Sequence, residues 1–153
     1  MYPPLIFPKI NPKIKKIDEK LYIFDNIRRK FVFLTPEEWV RQHVTAYLVN
    51  ELAYPKSLLS LESGLTYHEL SKRSDVQAFD RQGNPFLLIE CKATNIPLSP
   101  AVFEQASRYN FVLKAPFMAL TNGLQTLCWH INWQTGVITP LEQLIRFEEL
   151  PSL

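Results

Sequence analysis

Glycine is scarce in this chain: four residues in 153, none of them set in a Gly-x-x-x-x-Gly-Lys-Ser/Thr phosphate loop or a Gly-x-Ser-x-Gly elbow. That removes a nucleotide-driven motor and an elbow-type hydrolase from the functions these residues can supply. Cysteine is scarcer still. Cys91 and Cys128, each in a predicted strand, cannot build a disulfide framework or a four-thiolate zinc site, and a reducing cytoplasm is the expected setting. No apolar run approaches the length of a membrane span, and the start Met1-Tyr2-Pro3-Pro4-Leu5-Ile6-Phe7-Pro8 has neither the basic region nor the apolar core of a signal peptide. No internal repeat and no low-complexity tract is present.

What is there is ordinary globular material, 46% apolar and 21% charged, enough for one domain with a true core. The expected division of residues 1–153 is an extended basic arm and hairpin (1–34), a catalytic core (35–133) and a tail (134–153). The net charge of +2 conceals an asymmetry, because residues 1–30 carry eight Lys or Arg against three acids. A basic arm suits a polyanion, and it equally suits a plain solvated extension.

Prolines at 3, 4, 8 and 12 keep the arm extended, and Lys20–Asp25 with Lys30–Leu34 read as a hairpin. Thr35 as N-cap, Pro36 at N1 and Glu38 at N3 announce a helix. Its stripe of Val40, Val44, Tyr47, Leu48 and Leu52 is the buried face. By phase Glu37 projects from that stripe and is the expected inward acid, with Glu38 assigned to capping. Leu58–Ser63 is a strand candidate. Ser99-Pro100 opens a second helix with a core face of Val102, Ala106, Tyr109 and Leu113. Phe117–Thr121 and Thr126–Trp133 are strands, and Pro140–Phe147 reads as a short helix ended by Pro151. The order helix, strand, hairpin, helix, strand implies an α/β fold, a mixed sheet flanked by helices.

The chemistry concentrates in the central hairpin. Asp75-Val76-Gln77-Ala78-Phe79-Asp80 runs through Arg81-Gln82-Gly83-Asn84-Pro85 into Phe86-Leu87-Leu88-Ile89-Glu90-Cys91-Lys92. With an even register, a four-residue loop for example, Asp75 faces Glu90 with the two Cβ atoms roughly 4.5–5.5 Å apart. Alternation then puts Glu90 and Lys92 on one face and Cys91 on the other. Two carboxylates so placed can share one hard cation, Mg²⁺ or Mn²⁺.

The segments 34–42, Lys72-Arg73-Ser74-Asp75, Leu88-Ile89-Glu90-Cys91-Lys92-Ala93, Gln105-Ala106-Ser107-Arg108-Tyr109 and Leu120-Thr121-Asn122-Gly123 resemble the PD-(D/E)XK, or restriction-endonuclease-like, nucleases. The resemblance is nearer still to the amino-terminal nuclease domain of type I restriction enzyme R subunits, and covers about Ile23 to Trp133. It implies a restriction-endonuclease-like core and a nuclease acting on nucleic acid, DNA by expectation. Asp75 and Glu90 would be its metal ligands, Lys92 the group that positions or activates water, and an acid of the first helix, Glu37 by phase, would complete the site. Gln105 and Tyr109 match a glutamine-tyrosine motif near the active site of such enzymes. Ser74 stands where the superfamily often has proline. Because no phosphate loop is present, a homodimer or a separate motor or specificity subunit is an expected partner, and no membrane is.

Each residue also has a plainer reading. Asp75 and Glu90 can be strand ends, Lys92 a snorkelling surface lysine, Glu37 a helix-start charge, and Gln105 and Tyr109 helix-edge packing. Cys128 and His130 share a strand face but lack further metal ligands, and His43 and His68 lack acid-base companions. Trp39, Trp129 and Trp133 are expected in the core or an interface.

Overall fold

The computed structural model describes residues 2–61 and 75–148, Asp75 by its backbone. Lys72, Arg73, Ser74, His68, Pro151 and the last two residues of the strand expected at 58–63 lie outside the described residues. Strands β1 (Ile14–Ile17), β2 (Lys20–Asp25) and β3 (Lys30–Phe33) form an antiparallel sheet ahead of helix α1 (Pro36–Asn50). Then follow β4 (Leu59–Leu61), the hairpin β5 (Asp75–Phe79) and β6 (Pro85–Cys91), α2 (Pro100–Leu113), β7 (Phe117–Thr121), β8 (Thr126–Ile131) and β9 (Ile138–Leu141). Strands β4 to β9 lie side by side in chain order; β6 and β7 are parallel, joined by the α2 crossover, and the other neighbours are antiparallel. The fold is the expected mixed α/β arrangement, with an amino-terminal antiparallel sheet added.

Alternation along β6 divides the core. Leu87, Ile89 and Cys91 join Val40, Val44 and Leu48 of α1, whereas Leu88 joins Ala106 of α2 with Met118 and Leu120 of β7. α1 and α2 therefore cover opposite faces. Both helices start as their caps dictate: Thr35 Oγ1 accepts from the Glu38 N–H at 3.0 Å and Ser99 Oγ from the Val102 N–H at 3.4 Å. The turn from α2 into β7 is held by the buried Asn110, whose side chain exchanges hydrogen bonds with the Ala115 backbone at 3.1 and 3.0 Å.

Three local expectations give way. β1 forms although its lysine-rich sequence reads as arm, because it pairs fully with β2. The start of the arm is not solvated either: Phe7 belongs to the core against Tyr47, and the Ile6 N–H donates to the Gly123 carbonyl at 2.8 Å. The helix expected over Pro140–Phe147 does not form: Pro140 and Leu141 end β9, since Asn132 and Gly136 close a turn that lays Ile138–Leu141 along β8, and residues 142–147 follow as bends and a turn. Pro140 is tolerated there because β9 is an edge strand. Among the described residues no helix is long and apolar enough to cross a membrane.

The amino-terminal sheet is locked to α1 by a buried ionic network. Asp25, wholly buried, accepts from the Ile27 and Arg28 N–H groups at 2.9 and 2.8 Å, shaping the β2–β3 turn. Its other oxygen takes the Arg28 guanidinium at 2.8 Å and the Gln42 amide at 3.0 Å. Gln42 also donates to Glu38 at 2.6 Å, and Glu38 pairs with Arg28 at 3.4 Å and with Arg41. Burial alone would raise the Asp25 carboxyl, but the Arg28 backbone and guanidinium, helped by Gln42, hold it below its ordinary value.

Two stability predictions follow from these contacts. Asp25→Ala removes a wholly buried carboxylate, leaves the half-buried Arg28 with Glu38 at 3.4 Å, and is expected to cost about 3–5 kcal/mol near neutral pH. Because the folded-state carboxyl titrates below 3.8, its contribution is present above that value and lost as pH falls through the lower folded one. Urea unfolding of both proteins at neutral pH and in acid reads this out: the gap should narrow in acid, and a gap independent of pH would refute it. Gly123 sits at φ +86°, and an added Cβ would meet Leu5 Cδ2 at 2.7 Å. Gly123→Ala should therefore lower stability by roughly 1–3 kcal/mol and loosen the arm, as a thermal melt with limited proteolysis of residues 1–10 would reveal.

Candidate active site

The register of the central hairpin sets what stands beside what. Asp75 pairs with Glu90, Val76 with Ile89, Gln77 with Leu88 and Ala78 with Leu87, after which a bulge shifts Phe79 onto Pro85. The loop is thus not the four residues that an unbroken register would give. It closes by Asp80–Asn84 and Asp80–Gly83 backbone bonds of 2.8 and 3.0 Å, with Gly83 at φ +89°. The bulge absorbs the odd residue and restores the even register that brings Asp75 opposite Glu90.

Directly opposed residues share a face, so Asp75, Gln77, Leu88 and Glu90 lie on the side that α2 covers. Glu90 is 3% exposed, an extreme value for a carboxylate on a central strand. Lys92 continues past the end of β6, its N–H bonded to the Thr121 carbonyl at 2.9 Å and its Nζ 3.3 Å from Glu90 Oε2. The lysine side chain is 24% exposed, so a buried acid and a half-open cation stand together at the strand end. Gln77 donates from Nε2 to the Tyr109 hydroxyl at 3.0 Å, tying α2 to the same face.

The helix-borne groups fall out differently from expectation. Glu37 is only half-buried, and the inward acid of α1 is Glu38, 6% exposed. A one-sided stripe predicts Glu37, but α1 is packed on two sides, by the sheet and by the β2–β3 turn, which buries Arg41 and Gln42 as well. Glu38 therefore gives its side chain to the ionic network while its N–H takes the Thr35 cap. No hydrogen bond or ion pair joins Glu37 or Glu38 to Glu90 or Lys92 among the described residues. Burial opposes the Arg41 charge, yet Glu38, with Cys91 and Asp25 adding to it, holds the guanidinium above its ordinary value. Cys91 lies in the core on the α1 side of the sheet, the face opposite Glu90. Gln105 is exposed and its side chain makes no hydrogen bond to a described residue; of the pair Gln105 and Tyr109, Tyr109 is the one that reaches the sheet face.

The remaining polar candidates are structural. His43 is buried with Nδ1 donating to the Trp39 carbonyl at 2.9 Å, and burial, partly opposed by that bond, keeps it below its ordinary pKa. Burial pushes the Cys128 thiol up to about 11, and its Sγ lies 3.8 Å from the Leu141 carbonyl oxygen. His130 lies against Phe117, ring centres 5.1 Å apart. Trp129 packs on Phe103 at 4.6 Å, and Trp133 donates to the Ala115 carbonyl at 2.9 Å. Among the described residues no three His, Cys, Asp or Glu side chains are gathered around a common point. Sequence reasoning missed Asp25, Arg28, Arg41 and Gln42. Their one visible signal was the spacing of Arg41 and Gln42, three and four residues after Glu38.

Comparison with known proteins agrees with this architecture. A family model described as type I restriction enzyme R protein N terminus matches residues 36–144, well over half of the chain. A solved fragment assigned as the HsdR subunit of a type I restriction enzyme from Vibrio vulnificus YJ016 superposes with a TM-score of 0.52 at 19% identity. The match covers 73% of this chain and 24% of that one, so the present chain spans about a quarter of the solved relative and shares its fold. No curated protein matches. The order of strands and helices and the span of the family match agree: the chain belongs to the family of type I restriction enzyme R protein N termini.

Proposed function

We propose that this protein is a PD-(D/E)XK-type nuclease that hydrolyses phosphodiester bonds of DNA with the help of Mg²⁺ or Mn²⁺. The observation that carries the reading is the pairing of Asp75 with Glu90 on one sheet face, with Lys92 at 3.3 Å from Glu90. The donor chemistry fits a hard cation: opposed carboxylates on antiparallel strands can share one ion, and carbonyl or water oxygens fill an octahedral shell. Asp75 and Glu90 would hold it, and when bound it supplies a polarised phosphoryl oxygen and an activated water.

The chain's own residues do the rest. Lys92 is a compact cation at the mouth of the site, able to hydrogen-bond the attacking water or to offset charge on the phosphate. Gln77 and Tyr109 fix the position of α2 over the face, and Glu90 beneath it is kept away from bulk water. Glu37, Glu38 and Gln105 are kept as accessory groups: a helix-borne acid for a water-bridged contact, an exposed amide for the phosphate. We place the protein in the cytoplasm, residues 1–153 working as one unit, alone, as a homodimer, or beside a motor or specificity subunit.

One observation favours a second reading, a nuclease-like binding module that acts only with a partner: Lys92 Nζ stands 3.3 Å from the buried Glu90, a pairing that satisfies this acid without a metal. Purified protein, incubated with single-stranded, duplex and branched DNA in Mg²⁺, Mn²⁺ or chelator, separates the two. The nuclease reading expects divalent-dependent cleavage that drops on the order of 100-fold or more in Lys92→Ala and in Asp75→Ala, with the far-ultraviolet circular dichroism unchanged. Calorimetric titration should show Mn²⁺ heat that disappears in Glu90→Gln. Metal binding without cleavage supports the partner-dependent module, and cleavage unaltered in Lys92→Ala removes the mechanism.

A further inference from the structure

The four aromatic rings of the amino-terminal sheet take no part in either hydrophobic core. Alternation along β2 sends Ile23 and Asp25 inward, both buried, and therefore turns Tyr22 and Phe24 outward. The register sets Phe33 opposite Tyr22 and Phe31 opposite Phe24. The rings form two edge-on pairs, with centres 5.8 and 5.2 Å apart, and Phe33 is 51% exposed. Lys15 Nζ of β1 lies 4.1 Å from the centre of the Phe31 ring, and Nζ of Lys13, just ahead of β1, lies 5.6 Å from that of Phe24.

The outward strand positions carry Lys15, Ile17 and Lys20 with these rings and no acid. The acids Asp18 and Glu19 sit in the β1–β2 turn, where Glu19 pairs with Lys16 on the other side of the strand. A groove of about 300 Å³ adjoins the face, sharing Lys13 and Phe24 and adding Lys9, Asn26 and Asn50.

We propose that this outer face binds single-stranded nucleic acid. The exposed Phe33 and the half-buried Tyr22, Phe24 and Phe31 offer stacking surfaces, and lysines poised above two of them lie within reach of the phosphates that flank a stacked base. An apolar protein partner would be met by uncharged aliphatic groups rather than by ammonium groups lying over the rings. A duplex hides the faces of its bases and leaves such rings nothing to stack on, so an unpaired strand is the polymer that satisfies both features. The inference rests on the nuclease reading for the class of polymer. It differs in needing neither metal nor cleavage.

The test is fluorescence anisotropy of a labelled oligothymidylate and of a duplex of equal length with the full chain in chelator. Phe24→Leu and Phe31→Leu keep apolar volume, and their folding is checked by circular dichroism. The single strand is expected to bind more tightly than the duplex, with the dissociation constant rising about 10-fold for each ring removed. Lys15→Ala should lower the salt slope by about 0.7. Affinity unchanged in both ring variants, or equal affinity for duplex, overturns the proposal. So does a loss of self-association, seen by sedimentation, in place of a loss of DNA binding, which would assign the face to a protein contact. Ring-independent binding with cleavage that Lys92→Ala abolishes defeats the platform alone; ring-dependent binding with no cleavage in any metal defeats the nuclease reading alone.

Discussion

Everything at the candidate site depends on the pairing of β5 with β6. A slip of one residue along that pair would turn Asp75 to the opposite face from Glu90 and carry its neighbours with it. Three features guard the register. Val76 and Ala78 must enter the α1-side core, being no more than 1% exposed. Gln77 is pinned across to Tyr109. The bulge at Ala78–Phe79 reconciles an odd loop with an even ladder. Because β6 lies inside the sheet, between β5 and parallel β7, it has no edge along which to drift.

A second constraint acts at the other end of α1. The Asp25–Arg28–Glu38–Arg41–Gln42 network is buried but for the half-buried Arg28, and each of its charges meets an opposite one. Such networks add little net stability over an apolar packing but penalise every arrangement that leaves a charge unmatched. Its effect here is positional. It orients the amino-terminal sheet on α1, so that Ile23 and Asp25 face in and the aromatic row faces out.

Both helix starts were legible in the sequence because a cap and a following proline are local signals: Thr35-Pro36 and Ser99-Pro100 act as read. The facing of Asp75 and Glu90 was legible for a similar reason, since alternation and turn residues fix it within one hairpin. What failed depended on tertiary context. Glu37 was favoured over Glu38 by a periodicity that assumes one buried face, and α1 has two. β1 was hidden by lysines that an edge strand can carry outward, and residues 140–147 look helical until β8 offers them a free edge. The ionic network needed the third dimension altogether, because Asp25 and Gln42 are seventeen residues apart.

The fold gives the chain a buried acid on a central strand, a second acid fixed opposite it by register, and a lysine at the opening. These are the parts that phosphodiester hydrolysis asks of a protein. The most direct test is anomalous diffraction from crystals soaked in millimolar Mn²⁺. The account predicts a peak between the Asp75 and Glu90 carboxylates, at roughly 2.2 Å from an oxygen of each. No peak there, or the two carboxylates directed to different surfaces, would contradict it.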